Sequence, residues 1–150
     1  MHIVTQRLST QAKQLVNPKS LLTLALVAED RTRSRHRFMT LEGEEINLQL
    51  QRGTVLKEGD ILADENNQAI AVVIAKSEPV LTVTAAHPLD FLRAAYHLGN
   101  RHISLEITES YLRLSPDSVL EDMVLQLGLT VIKETQSFQP ESGAYHHHDH

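Results

Sequence analysis

The order of apolar segments in the second half of the chain restricts its fold more than any other feature. Extended and helical patterns follow one another there as PVLTVTAA, HPLDFLRAAYHLGN, HISLEI, YLRLS, SPDSVLEDMVLQLG and LTVIKE. The order βαββαβ is that of the ferredoxin-like arrangement. We therefore predict a ferredoxin-like domain over residues 77–138, with a change of pattern at Ser77-Glu78-Pro79 as its start.

Cap residues mark both ends of the first predicted helix. Pro88 suits the first helical position, where no backbone donor is needed. Gly99 is a natural stop because glycine accepts the left-handed conformation that ends many helices. An apolar stripe with helical spacing lies between them and consists of Leu89, Leu92, Tyr96 and Leu98.

The second predicted helix has signals of the same kind. Ser115 or Asp117 can cap its first turn, and Gly128 ends it. Its inward face is predicted to contain Val119, Met123, Val124 and Leu127.

Residues 1–76 carry the pattern of short strands separated by turns. LLTLALVAEDR is an aliphatic segment that ends in charge. In RHRFMTLEGEEINLQL, apolar residues recur at every second position on both sides of a turn at Glu42-Gly43. Further turns are predicted at Gly53, Gly59 and Asn66-Asn67. We predict a small β-sandwich or barrel for this domain, and an α+β fold for the chain.

Composition excludes several classes of function. The chain has 150 residues and no cysteine, so disulfides, thiolate nucleophiles and cysteine-based metal sites are ruled out. A net charge of −5 gives no reason to expect a nucleic-acid partner. The polar N-terminus and the lack of a long apolar run predict a cytoplasmic protein without a membrane partner. No phosphate loop, HExxH motif or nucleophile elbow is present, so we expect no enzymatic activity.

Histidine is concentrated near the end of the chain, in HHHDH. Residues 139–150 are polar, and we expect a flexible tail there. Its imidazoles are ligands suited to nickel, zinc or copper, and His-rich tracts of this kind predict metal binding. The alternative is an expression tag or an inert tail, which the interruption by Asp149 disfavours. The candidate ligands are His146, His147, His148 and His150.

A second histidine pair lies in YHLGNRH. His97 falls in the last turn of the predicted helix, where the helix dipole favours an imidazolium, so a plain helix-end histidine is the simpler interpretation. His102 follows the Gly-Asn turn, where the chain is predicted to enter a strand. One histidine is too few for a divalent ion. A two-fold dimer can bring two copies of His102 together, and the tails can then supply further ligands.

Arginine occupies alternate positions in RTRSRHR. If this segment is a strand, all four arginines share one face and form a basic stripe: Arg31, Arg33, Arg35 and Arg37. No aromatic residue is interleaved with them, which favours a solvated edge or a protein-docking surface over nucleic-acid binding. The rival hypothesis is therefore a protein-interaction module with an incidental histidine tail. A hydrolytic metalloenzyme is a more distant third, because no positioned base is evident.

Four segments together resemble the UreE family of urease accessory proteins, the nickel metallochaperones. The strongest match is LRAAYHLGNRH, and RSRHR followed by LQRGTVLKEGDIL is similar to the family's N-terminal domain. SVLEDMVLQLGLTV and PESGAYHHHDH resemble its final helix, strand and histidine-bearing tail. The resemblance covers essentially the whole chain.

The resemblance implies a Ni²⁺-binding homodimer. In it, residues 1–76 dock protein partners and the ferredoxin-like domain dimerises and binds metal. His102 matches the principal nickel ligand at the dimer interface, and the tail histidines match accessory ligands. The implied partners are the urease accessory GTPase and apo-urease. Zn²⁺ and Cu²⁺ are expected competitors, since such sites generally bind Cu²⁺ more tightly.

This chain departs from the family pattern in two respects. Some members have a run of histidines where this chain has LRLSPDS, which contains no imidazole. Its tail is also short, with four histidines. A second surface site and a large storage capacity are therefore not expected. Glu106 is near His102 in sequence, but a structural or surface role is expected for it instead of metal ligation.

Overall fold

A computed structural model describes residues 1–142 of the protein. The chain divides into two compact units, of which the first is Met1–Lys76 and the second begins at Ser77. Within residues 1–142, no helix is both long and apolar enough to cross a membrane. The predicted end of the second domain at residue 138 and the separate tail, residues 139–150, stay predictions.

The first unit is built from two sheets. One contains the strands β1 (His2–Val4), β4 (Arg35–Met39) and β5 (Glu45–Gln49), in the order β1-β5-β4. The other contains β2 (Gln6–Arg7), β3 (Leu22–Leu26), β6 (Ile61–Ala63) and β7 (Ala69–Ala75), in the order β2-β6-β7-β3. The connections include two short helices, α1 (Thr10–Lys13) and α2 (Ala28–Arg31), and a 3-10 turn at Pro18–Ser20.

Both sheets contribute to a single apolar core. Ile46 and Leu48 of β5 are fully buried, as are Leu24 of β3 and Val73 of β7. Alternate residues of β3, β5 and β7 are buried, because successive side chains in a strand point to opposite faces. The predicted small sandwich is therefore confirmed. The predicted turns at Gly43, Gly53, Gly59 and Asn67 are also confirmed, since each has a positive φ.

The predicted arginine stripe is wrong. Strand β3 ends at Leu26, and the charged residues after it form α2 instead of continuing the strand. Glu29 and Asp30 lie in the first turn of α2, where the helix dipole favours negative charge. Arg31 belongs to α2 and is buried, with its Nε donating to the Leu26 carbonyl oxygen at 3.3 Å. Among the four arginines, β4 contains two, at positions 35 and 37.

The second unit has the predicted order of elements. Its elements are β8 (Ser77–Thr84), α3 (Pro88–Gly99), β9 (Glu106–Ile107), β10 (Leu112–Leu114), α4 (Ser118–Gln126) and β11 (Thr130–Ser137). The sheet order is β11-β8-β10-β9, and all neighbouring strands are antiparallel. The ferredoxin-like βαββαβ prediction is confirmed.

Helix α4 begins and ends as predicted, but its inward face is shifted. Asp117 caps it, with its Oδ1 accepting from the backbone nitrogens of residues 119 and 120 at 2.9 and 3.0 Å. Gly128 follows with a φ of 88°. The residues that pack on the core follow the i, i+3, i+4, i+7 spacing of one helix face: Leu120, Met123, Val124 and Leu127. Val119 lies one position before this stripe and is 65% exposed, so its predicted inward position is wrong.

Helix α3 also packs through a different stripe from the predicted one. Its core-facing residues again follow a single helix face: Phe91, Ala94, Ala95 and Leu98. Of the predicted stripe, only Leu98 is buried. Leu89, Leu92 and Tyr96 are 54%, 65% and 65% exposed. The helix therefore has a second apolar face that its own unit does not cover.

Candidate metal site at the end of helix α3

His102 lies in a tight turn directly after α3. The helix ends at Gly99, and Asn100 caps it with a right-handed helical backbone. The backbone nitrogens of Arg101 and His102 donate to the carbonyl oxygens of Leu98 and Gly99, both at 3.1 Å. The predicted left-handed stop at Gly99 is wrong, because Gly99 is part of the helix and His102 takes the positive φ, 54°.

A positive φ at a side-chain-bearing residue is unusual. Within residues 1–142, only Asn67 and His102 combine a side chain with a positive φ. Asparagine and histidine adopt this conformation more often than other side-chain-bearing residues, but the left-handed region costs L-residues about 1 kcal/mol or more. Residues held in such regions are concentrated at functional sites. The conformation of His102 therefore marks this turn as a candidate site.

The segment after His102 is irregular. The strand predicted in HISLEI is limited to Glu106–Ile107, so His102 precedes a short extended loop instead of a strand. The His102 side chain is exposed. The turn thus presents its imidazole to solvent, and a metal ion can approach it without rearrangement of the fold.

His97 occupies the last turn of α3 and is also exposed. Its ring packs edge-on against Tyr96, with the ring centroids 5.2 Å apart. Across residues 1–142, no three His, Asp or Glu side chains are grouped closely enough to hold an ion. A site at His102 therefore needs donors from a second protomer or from the tail.

Glu106 has the structural role expected for it. It is 7% exposed, and both carboxylate oxygens accept hydrogen bonds, from the Gln139 backbone nitrogen at 2.8 Å and the Tyr111 hydroxyl at 3.0 Å. Arg113 lies directly opposite on β10. The sequence contains a signal for this pair, because a hairpin turn at Thr108–Ser110 places residues 106 and 113 on neighbouring strands.

The last described residues run beside the loop that follows His102. Phe138 belongs to the second unit and is buried, at 1% exposure. The backbone nitrogen of Glu141 donates to the Leu105 carbonyl oxygen at 2.8 Å. The last described residues are therefore attached to the loop that follows the His102 turn. The candidate ligands beyond this point, His146, His147, His148 and His150, lie outside the described residues.

Two family models together match nearly all of the chain. The model described as the UreE urease accessory protein, N-terminal domain, matches residues 4–75. The model described as the UreE urease accessory protein, C-terminal domain, matches residues 78–150.

Many curated proteins are similar to the chain over most of its length. A urease accessory protein UreE of Nostoc sp. is 55% identical over 142 residues, covering 91% of this chain and 97% of the relative. The UreE of Nostoc punctiforme is 59% identical over 130 residues, covering 85% and 88%. The UreE of Proteus mirabilis is 43% identical over 143 residues, covering 95% and 87%.

Proposed function

Because the chain belongs to the UreE family of urease accessory proteins, whose role is in urease maturation and not in urea hydrolysis itself, we propose that it delivers nickel. In this proposal the protein collects Ni²⁺ and hands it to the machinery that assembles the urease metal centre. Nickel is then the cargo of the protein. The observation that carries the proposal is the exposed imidazole of His102, held on a turn with an unfavourable backbone conformation.

His102 would bind the ion from both protomers of a homodimer. The uncovered face of α3, formed by Leu89, Leu92 and Tyr96, supports a self-association surface on the helix that leads to His102. In a two-fold dimer, a residue close to the axis meets its own copy. Two imidazoles from the two His102 turns would then form the core of one site.

The tail histidines would complete the coordination. One or more of His146, His147, His148 and His150 would join the two copies of His102, and His97 is a further candidate. Ordering a tail costs conformational entropy, so these ligands suit capture and release better than permanent storage. Because metal binding requires neutral imidazole, the affinity should fall in acid.

Selectivity for nickel over other metal ions would not come from affinity alone. Imidazole sites generally bind Cu²⁺ more tightly than Ni²⁺, and Zn²⁺ also competes. The nickel supply of the cell and the receiving proteins would therefore contribute. We propose the urease accessory GTPase and apo-urease as these partners, in the cytoplasm, with the first unit as the docking domain.

The rival hypothesis of a pure interaction module loses its main support. It relied on four arginines along one strand face, and Arg31 is instead buried in α2. Arg33 Nε lies 3.6 Å from Asp30 Oδ1. Arg37 Nη1 lies 3.8 Å from Glu45 Oε1. What remains exposed on β4 is compatible with docking of a protein partner alongside metal delivery.

Complementation of urease activity tests the proposed function. Cells that produce urease but lack their own family member would receive the wild-type chain, His102→Ala or His87→Ala, at limiting nickel. His87 is an exposed histidine at the opposite end of α3 and serves as the control. We expect His102→Ala to fail at limiting nickel and to be rescued by excess nickel. Full activity of His102→Ala at limiting nickel would contradict the proposal.

A further inference from the structure

Glu106 accepts a hydrogen bond from the backbone of Gln139, at the start of the predicted tail. Resting on the proposed function, we propose that Glu106 is a positioning residue that fixes the start of the tail beside the His102 turn. It would act through the tail backbone and not as a metal ligand, because both of its carboxylate oxygens already accept hydrogen bonds.

The hydrogen bond from Gln139 to Glu106 lies just beyond the end of the pairing between β8 and β11. Strand β11 pairs with β8 up to the pair Ser137 and Ser77, where β8 begins. Two residues later, the backbone nitrogen of Gln139 donates to Glu106 Oε1 at 2.8 Å. The carboxylate thus continues to hold the chain after the sheet has ended. Gln139 takes part through its backbone, and its side chain is exposed.

Arg113 makes a buried carboxylate tolerable at this position. Its Nη1 lies 3.9 Å from Glu106 Oε2, and its guanidinium lies over the Tyr111 ring at 4.2 Å. Its Nε donates to the Thr82 hydroxyl at 3.0 Å, and its Nη1 donates to the Ser137 carbonyl oxygen at 3.4 Å. A buried charge is costly unless it is paired and hydrogen-bonded, and this network supplies both. Arg113 therefore supports Glu106 and also contacts the end of β11.

Two further contacts secure the same segment. Phe138 is 1% exposed. The backbone nitrogen of Glu141 donates to the carbonyl oxygen of Leu105 at 2.8 Å, one residue before Glu106. Residues 138–141 are thus held by a buried ring and two hydrogen bonds, and both hydrogen bonds go to residues 105 and 106.

These contacts of residues 138–141 form an anchor that would start the tail close to the His102 turn. Leu105 is three residues after His102, a span of at most about 10 Å. His146 is five residues after Glu141, a span of up to about 17 Å. Without the anchor the chain would be fixed only as far as Ser137, nine residues before His146. Because effective concentration falls roughly as the −3/2 power of linker length, this change alone should lower it about twofold.

The test separates tail positioning from metal binding as such. Glu106→Ala removes the acceptor, Glu106→Gln retains an acceptor oxygen, and Gln139→Pro removes the donor. Gln139→Ala is the matched control, since it keeps the backbone donor. Each variant would be made in the full chain and in a chain ending at Ser142, and folding would be checked by circular dichroism. Ni²⁺ affinity gives one readout, and amide hydrogen exchange of residues 138–142 without metal gives the other.

We expect Glu106→Ala and Gln139→Pro to speed exchange in residues 138–142 and to reduce, by up to about twofold, the affinity gained from the tail. Glu106→Gln and Gln139→Ala should behave as wild type, and all truncated chains should bind alike. If Glu106→Ala does not fold, Gln139→Pro still decides the outcome. If variants with faster exchange keep the full gain in Ni²⁺ affinity from the tail, this inference is overturned, while the proposal of nickel delivery is unaffected. Equal Ni²⁺ affinity of the wild type and His102→Ala, titrated alongside, would instead refute the proposed function.

Discussion

His102 adopts a left-handed backbone, with φ at 54°, while its amide nitrogen donates to the carbonyl oxygen of Gly99 at 3.1 Å. The glycine is thus the last helical residue and the histidine carries the conformation that glycine usually takes. This exchange of roles suggests that the turn keeps histidine for its imidazole at some cost in stability.

Replacing His102 by glycine should therefore stabilise the fold relative to replacing it by alanine. Both variants lose the imidazole, but alanine keeps the left-handed strain and glycine does not. We expect His102→Gly to have a free energy of unfolding about 1 kcal/mol higher than His102→Ala. Urea denaturation without metal measures the difference. Equal stability of the two variants would show that the turn stores no strain.

A charge on the uncovered face of α3 should prevent dimerisation. Leu92 is 65% exposed, so Leu92→Asp leaves the core intact. If this face meets its own copy, two carboxylates would be buried without partners, which is strongly unfavourable. Val119→Asp on α4 is the control, because Val119 is also 65% exposed. Light scattering should report a monomer for Leu92→Asp and a dimer for Val119→Asp, and a dimer for both would exclude this face.

Glu42 should contribute to stability at neutral pH but not in strong acid. Its Oε1 accepts from the Thr23 backbone nitrogen at 2.7 Å, and this hydrogen bond lowers the pKa of the carboxyl below its ordinary value. A lowered folded-state pKa stabilises the fold above the unfolded-state pKa of about 4.3, and the contribution disappears as pH falls through the lowered value.

Glu42→Gln should consequently be less stable than wild type at neutral pH, with the difference shrinking as the solution is acidified. Urea midpoints measured from neutral pH down to about pH 3 would follow it. Glu65→Gln, at another exposed carboxylate, is the control. A difference between Glu42→Gln and wild type that does not change with pH would refute the role of the Glu42 charge.

Reversing charge in the first unit should leave metal binding unchanged. The double variant Arg33→Glu and Arg35→Glu alters exposed side chains outside the second unit, which contains His102. We expect its Ni²⁺ affinity to equal that of wild type in calorimetry, even if partner docking is lost. A large drop in affinity would mean that the first unit takes part in the metal site.

The sequence predicted the fold better than it predicted which helix faces are buried. Gly128 acts locally, so its role in α4 follows from residue type, whereas residue type left the cap open between Ser115 and Asp117. Helix α3 is apolar on two faces, and only the fold shows that Ala94 and Ala95 pack on the core while Leu92 does not. Small residues carry a weak hydrophobic signal, and this led the prediction to the larger exposed residues.

The site was also only partly predictable. His102 was identified from its motif, but its backbone conformation depends on where α3 stops, and helix ends are hard to place from sequence. Arg31 was assigned to a strand because alternation alone does not show that β3 ends at Leu26. The contact between Glu106 and Gln139 joins residues far apart in sequence, and no local sequence pattern predicts it.

The measurement that tests nickel binding most directly is calorimetric titration of Ni²⁺ with parallel light scattering, on wild type, His102→Ala and a chain ending at Tyr145. The account predicts that His102→Ala abolishes the tightest site while truncation only weakens it, and that the dimer persists without the tail. Repeating the titration in mild acid should lower the affinity, because protonated imidazole does not bind metal. Binding that follows the tail alone and ignores His102 would contradict the account.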